Sequence, residues 1–96
     1  MVRVELCFGG GLEALLGGQK RTPVDVPDEC RTMGKLILWI RDTLISERHD
    51  MFMKDDCVRP GILVLINSSD WELEGTTQYV LEPGDSISFI STLHGG

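Results

Sequence analysis

Apolar side chains alternate with other residues at the start of the chain: Val2, Val4, Leu6 and Phe8 are separated by Arg3, Glu5 and Cys7. A period of two predicts a strand with one buried face, and Gly9-Gly10-Gly11 ends it. Leu12 to Leu16 has room for one helical turn before Gly17-Gly18. A second strand is predicted from Lys20 to Val26 and closes at Pro27, which makes the first pair an antiparallel hairpin with a long loop. Thr32 then fits a helix N-cap. Beyond it Met33, Leu36, Ile37, Ile40 and Leu44 recur at helical spacing, while Lys35, Arg41 and Asp42 fall away from the stripe. Leu38, Trp39 and Ile45 widen the apolar arc, and Trp39 reads as a packing residue.

The second half returns to strands. His49 to Pro60 is a polar loop, and its Met51-Phe52-Met53 cluster is expected to plug an open end of the core. Ile62 to Ile66 is an unbroken aliphatic run centred on Val64, the pattern of a central strand buried on both faces. Asn67 to Asp70 reads as a turn, Trp71 to Leu73 as a short strand, and Gln78 to Leu81 as a segment that pairs weakly. Glu82-Pro83-Gly84-Asp85 has proline and glycine at the central positions of a type II turn. Ser86 to Ser91 alternates again, with Ile87 and Phe89 on one face. One helix cannot bury both faces of a sheet, so it must lie across one face as an α+β layer pair. The first and last strands can run parallel in the middle. The expectation is a ubiquitin-like β-grasp fold: a mixed five-stranded sheet packed on one main helix. It forms a single domain over residues 1–96 with a flexible tail at residues 92–96.

Size and charge narrow the function. A chain of 96 residues with 42% hydrophobic and 25% charged residues suits one soluble domain. A net charge of −6 argues against direct nucleic-acid binding, which depends on lysine and arginine. Three cysteines, Cys7, Cys30 and Cys57, are widely spaced and lack a CxxC pair, so neither a disulfide framework nor a metal site is expected. The alternating start is unlike a signal peptide, and no apolar run reaches the roughly 20 residues of a membrane helix. Together these point to the cytoplasm or nucleus. His49 and His94 have no HExxH spacing, and neither a GxSxG nor a P-loop occurs. Asp55-Asp56 and the Glu72/Glu74 pair read as solvated charge. No catalytic residue and no bound cofactor is assigned.

The chain ends in STLHGG, Ser91 to Gly96. A carboxylate is a poor acyl donor until an enzyme adenylates it, and glycine lets a backbone be drawn through a narrow channel to a nucleotide. Leu93 could anchor on the way. Histidine is a common general base, but a tail residue such as His94 has no fixed position from which to act as one.

The stretches RPGILVLIN (Arg59–Asn67), DWELEG (Asp70–Gly75) and GDSISFISTLHGG (Gly84–Gly96), with FGGGLEALL and the LILWI helix, make the chain resemble the eukaryotic ubiquitin-related modifiers that double as sulfur carriers. Cys57 stands near the Arg-Pro-Gly motif where a small hydroxyl residue is more often expected, and the resemblance leaves any redox role for it open. The resemblance implies activation of Gly96 by an E1-like adenylyltransferase/sulfurtransferase with a rhodanese domain, which uses ATP to form an acyl-adenylate and then a thiocarboxylate. It implies recognition of Thr92, Leu93, His94 and Gly95 by that enzyme. Beside the tail, the nearby strand face with Phe89 is a candidate for the surface that the enzyme grips. It further implies sulfur delivery to a cytosolic tRNA 2-thiolation complex acting on wobble uridine. The same terminus would form isopeptide bonds with lysines of target proteins such as peroxiredoxins. A monomer is expected. The alternatives are a small sulfur-carrier subunit of a molybdopterin-synthase-like enzyme and a binding module with an incidental tail; DWELEG and STLHGG favour the carrier.

Overall fold

The computed structural model describes residues 1–92. Strand β1 (Val2–Gly9) forms a hairpin with β2 (Arg21–Val26), with Leu12–Leu16 as a 3-10 turn between them. Helix α1 (Met33–Thr43) follows, then a small hairpin of β3 (Met53–Lys54) and β4 (Cys57–Val58). Strands β5 (Ile62–Ile66), β6 (Ser69–Asp70) and β7 (Ser86–Ser91) complete the chain, and the main sheet has the order β2-β1-β7-β5-β6. β1 and β7 lie parallel at its centre, Leu6 opposite Ile87 and Phe8 opposite Phe89. This is the mixed five-stranded sheet expected of the β-grasp fold.

The helix starts where the sequence places its cap: the Thr32 hydroxyl accepts from the Lys35 N–H. Its buried stripe of Met33, Leu36, Ile37 and Ile40 lies in one core with Val2, Val4, Leu6, Phe8, Val64, Ile66, Ile87 and Phe89. Phe52 is fully buried and Met53 nearly so, filling the end of the core as the loop cluster suggests. Phe52, Phe8 and Phe89 meet as a three-ring group, with Phe8 and Phe89 stacked at 5.4 Å and Phe52 edge-on to Phe89 at 5.2 Å. Trp39 is half-buried and packs against the core edge.

Four local expectations change. Asn67 to Asp70 is a turn only at Asn67-Ser68, because Ser69–Asp70 pairs with β5 as a strand. Ile62 to Ile66 is not buried on both faces: Val64 is 1% exposed, but Leu63 is 37% exposed and Leu65 half-buried on the outer side. One helix leaves that side of the sheet uncovered. Trp71–Leu73 is a 3-10 turn rather than a strand. The Asp70 carboxylate takes the Glu72 N–H at 2.9 Å and bends the chain as soon as Ser69–Asp70 has paired with β5. In the weakly pairing segment, Val80 alone bridges, to Thr32 beside the helix start, and Thr76–Gln78 forms another 3-10 turn.

The turn before β7 holds a buried carboxylate. Gly84 has φ +87°, and the Asp85 N–H donates to the Glu82 carbonyl, as a type II turn requires. Asp85 is 7% exposed. Its oxygens accept from Asn67 Nδ2 (2.9 Å), the Tyr79 hydroxyl (2.7 Å) and the Glu82 N–H (2.9 Å). Burial works to raise this carboxyl, but the three donors outweigh it and hold it below the ordinary aspartate value. Tyr79 is pushed up to about 12, first by burial, then by its bond to Asp85 and the neighbouring negative charges of Asp85, Glu82 and Glu74. A depressed carboxyl contributes stability above its unfolded pKa and loses that contribution as pH falls through the folded value. Asp85→Asn is therefore expected to cost about 1–3 kcal/mol at neutral pH. The gap from wild type should close on acidification from around 3.8 downward. Urea unfolding at pH 7 and pH 3 checks this; a gap that stays constant with pH would contradict it.

Candidate functional site

The site is the root of the C-terminal tail. β7 is held on both sides along its length, parallel to β1 and antiparallel to β5, so its end is fixed by two neighbours. Ser91 pairs with Ile62. One residue on, the Thr92 N–H donates to the Gly61 carbonyl at 2.9 Å, and the Thr92 hydroxyl bonds the same oxygen. That carbonyl is presented by a tight turn in the Arg-Pro-Gly motif. Pro60 and Gly61 occupy its central positions, Gly61 has φ +96°, and the Ile62 N–H returns to the Arg59 carbonyl at 3.2 Å.

A second glycine turn closes the other side. Gly10 has φ +68°, and a Cβ placed there would lie 2.1 Å from the Ser91 carbonyl oxygen. Only glycine allows the β1 exit to pack this closely on the tail root. A cavity of about 100 Å³ lies here, lined by Gly10, Gly11, Leu12, Met51, Arg59 and Ser91. The Arg59 guanidinium is steadied by the Asp50 carbonyl at 2.9 Å. Gly10→Ala is expected to displace Ser91 and Thr92 and to slow any reaction at the terminus at least tenfold, because small misplacements of reacting groups cost orders of magnitude. Loss of the Thr92 amide's protection from hydrogen exchange would accompany it. Wild-type exchange and wild-type reaction rate in the variant would refute this.

The outer face of the sheet runs up to the same point. Ile90 stands between Leu63 and Gly9, and Ser88 between Leu65 and Cys7. A shallow cleft of about 260 Å³ follows, lined by Cys7, Phe8, Gly9, Lys20, Arg21, Ser88 and Ile90. Phe89, expected to aid recognition from outside, is instead fully buried in the ring cluster because it points to the helix side. Ile90 and Leu63 take that outward position.

Of the residues assigned to recognition, Thr92 is placed as described, exposed and tied to Gly61. Leu93, His94 and Gly95, and Gly96, the residue expected to be modified, lie outside the described residues. Sequence reasoning missed Gly10 and Gly61, whose signals were the glycine run and the Pro-Gly pair, and Asp85, visible only as the end of a turn motif. His49 lies apart, its Nε2 at 2.8 Å from the Ile45 carbonyl. The three cysteines are free thiols, each half-buried. Among the described residues no His, Cys, Asp and Glu group could hold a metal ion, and no helix is long and apolar enough to cross a membrane.

A parallel central pair, a single crossing helix and a last strand that delivers the terminus define a ubiquitin-like β-grasp protein. A family model described as Urm1 (Ubiquitin related modifier) matches residues 3–96. The chain is 54% identical over 99 residues to a ubiquitin-related modifier 1 homolog of Chlamydomonas reinhardtii, covering all of both chains. It is 50% identical over 95 residues to ubiquitin-related modifier 1 of Homo sapiens, covering 97% of this chain and 94% of that one. The solution structure of Urm1 from Trypanosoma brucei superposes with a TM-score of 0.82 at 37% identity, covering 98% and 95% of the two chains. SAMP1 of Haloferax volcanii shares the fold, with a TM-score of 0.74 at 19% identity, covering 98% of this chain and 99% of that one. The chain belongs to the ubiquitin-related modifier family, ubiquitin-like modifiers and sulfur carriers rather than catalytic enzymes.

Proposed function

We propose that this protein carries sulfur on the carboxyl group of Gly96. An E1-like adenylyltransferase/sulfurtransferase with a rhodanese domain uses ATP on that group: a carboxylate oxygen attacks the α-phosphorus and pyrophosphate leaves. The outer sulfur of an enzyme persulfide attacks the acyl carbon and AMP leaves. A second enzyme thiol then attacks the inner sulfur, forming an enzyme disulfide and releasing the acyl group as its thiocarboxylate. The resulting thiocarboxylate supplies a tRNA thiolase that forms 2-thiouridine at the wobble position of cytosolic tRNAs. The same activated terminus is joined to lysines of target proteins, peroxiredoxins among them. ATP belongs to the activating enzyme, and the carrier itself holds no cofactor. It acts as a monomer in the cytoplasm or nucleus, without touching nucleic acid directly.

The observation that carries this reading is the root of the tail. A strand held on both sides ends at Ser91, and Thr92, four residues before Gly96, is tied to Gly61 between two glycine turns that fix the root of the tail. Leu63 and Ile90, exposed or half-exposed on the outer face, give the activating enzyme apolar surface to grip beside that point. Recognition of Thr92 to Gly95 then draws the terminus to the nucleotide. Incubation with the activating enzyme, ATP and a sulfur source is expected to replace one terminal oxygen by sulfur, read by intact-protein mass spectrometry. Folded protein that keeps its original mass would refute the carrier reading.

A further inference from the structure

The DWELEG segment is a hydrogen-bonded turn, yet it carries an exposed leucine. Asp70 caps it through the Glu72 N–H, the Glu74 N–H returns to the Trp71 carbonyl at 2.9 Å, and Gly75 at φ +111° redirects the chain. Trp71 is half-buried against the core and anchors the turn. Leu73 is 80% exposed, so core packing does not explain it. Nor does the chemistry of the terminus: β6 leads into this turn from the end of β5 opposite Ile62, the residue that pairs with Ser91. Asp70, where the turn begins, stands opposite Leu65, three strand steps or roughly 10 Å from Ile62.

The charge along the sequence around Leu73 is of one sign. Asp70, Glu72 and Glu74 flank it, and from Pro60 to Gly96 the sequence has no lysine or arginine. Arg31, which reaches the neighbouring loop, is committed to the Leu81 carbonyl at 2.7 Å. A projecting apolar group in an acidic frame is complementary to an apolar socket with a cationic rim.

We propose that Leu73, framed by Asp70, Glu72 and Glu74, is a docking knob for a protein partner presenting an apolar socket rimmed by lysine or arginine. The role of the knob rests on the carrier reading above. The enzyme that accepts the sulfur must hold tRNA phosphates with cationic side chains, so its surface has the matching charge. Gripping the carrier beside the edge strand β6, two strands away from β7, leaves the terminus free to enter an active site.

The test uses the full-length protein with methyl-labelled leucines and two synthetic peptides, one of alternating leucine and lysine and a twin with serine in place of leucine. The leucine peptide is expected to shift the Leu73 methyl signals saturably and to bind about tenfold more tightly than its twin, the margin a few buried methylenes give. Leu73→Ala should remove that margin with an unchanged unfolding midpoint. Glu72→Gln with Glu74→Gln should flatten the salt dependence. Equal binding of the two peptides, shifts centred on Ile90 and Leu63, or self-association abolished by Leu73→Ala would overturn the proposal. In the sulfur-transfer reaction, Leu73→Ala should be thiocarboxylated normally while its KM with the acceptor enzyme rises about tenfold. If the wild-type chain takes no sulfur, the carrier reading fails, and the peptide titration still decides the knob.

Discussion

Deletion of Gly96 is expected to abolish both thiocarboxylate formation and lysine conjugation while leaving the fold intact. The remaining chain ends at Gly95, which has the same chemistry but a shorter reach. One extended residue spans about 3.3–3.6 Å. Attack on a nucleotide needs the reacting atoms within roughly 3–3.5 Å of each other, and a displacement of about 1 Å already costs on the order of a hundredfold. The root cannot slide forward to compensate, because Thr92 is bonded to Gly61 and Ser91 is wedged against Gly10. The loss should therefore exceed about a hundredfold. Stability should stay within about ±0.5 kcal/mol of wild type, the range of changes away from the core. Mass spectrometry after activation and urea unfolding of the same sample give both halves of the result. A truncated chain that takes sulfur at the wild-type rate would show that the last residue is not the reacting one.

The largest loss of stability is expected from Phe89→Ala. Phe89 is fully buried on β7, stacked on Phe8 and edge-on to Phe52, and opposite Val64 on β5. Its removal opens a cavity among residues from three different parts of the chain, and rigid neighbours collapse into such a space only in part. A cost of about 3–5 kcal/mol follows, a large share of the roughly 5–15 kcal/mol that keeps a domain folded. Phe89→Leu keeps most of the volume and should cost clearly less. Because β7 carries the tail root, the alanine variant should also lose activation as it unfolds on warming, in step with its unfolding curve. A loss below about 1 kcal/mol in urea would mean that the three rings do not act as one cluster.

The two variants separate chemistry from support. Gly96 is where the reaction is proposed to occur, whereas Phe89 is inside and acts only through the strand it holds. Gly10 stands between them: it touches the tail root directly, and only the absence of a side chain permits that contact.

Much of this was legible in the chain. Alternation fixed β1 and β7 and which of their residues turn inward, since a strand's side chains change face at every step. The Thr32 cap and the 3.6-residue stripe fixed the helix, and the Pro83-Gly84 pair fixed the turn before β7. The ending and its motifs carried the family, which the relatives bear out over nearly the whole length. These features are local, and a short stretch of sequence contains all the atoms that decide them. The tertiary structure alone decided the rest. Leu63 and Leu65 sit in an aliphatic run that reads as buried, and only the single covering helix shows that their side of the sheet is open. Asp85 reads as a turn residue, yet its donors come from Asn67, Tyr79 and Glu82, and folding alone makes a buried charge there tolerable. The contact between Gly10 and Ser91 joins positions far apart in sequence, and such proximity has no periodic signature along the chain.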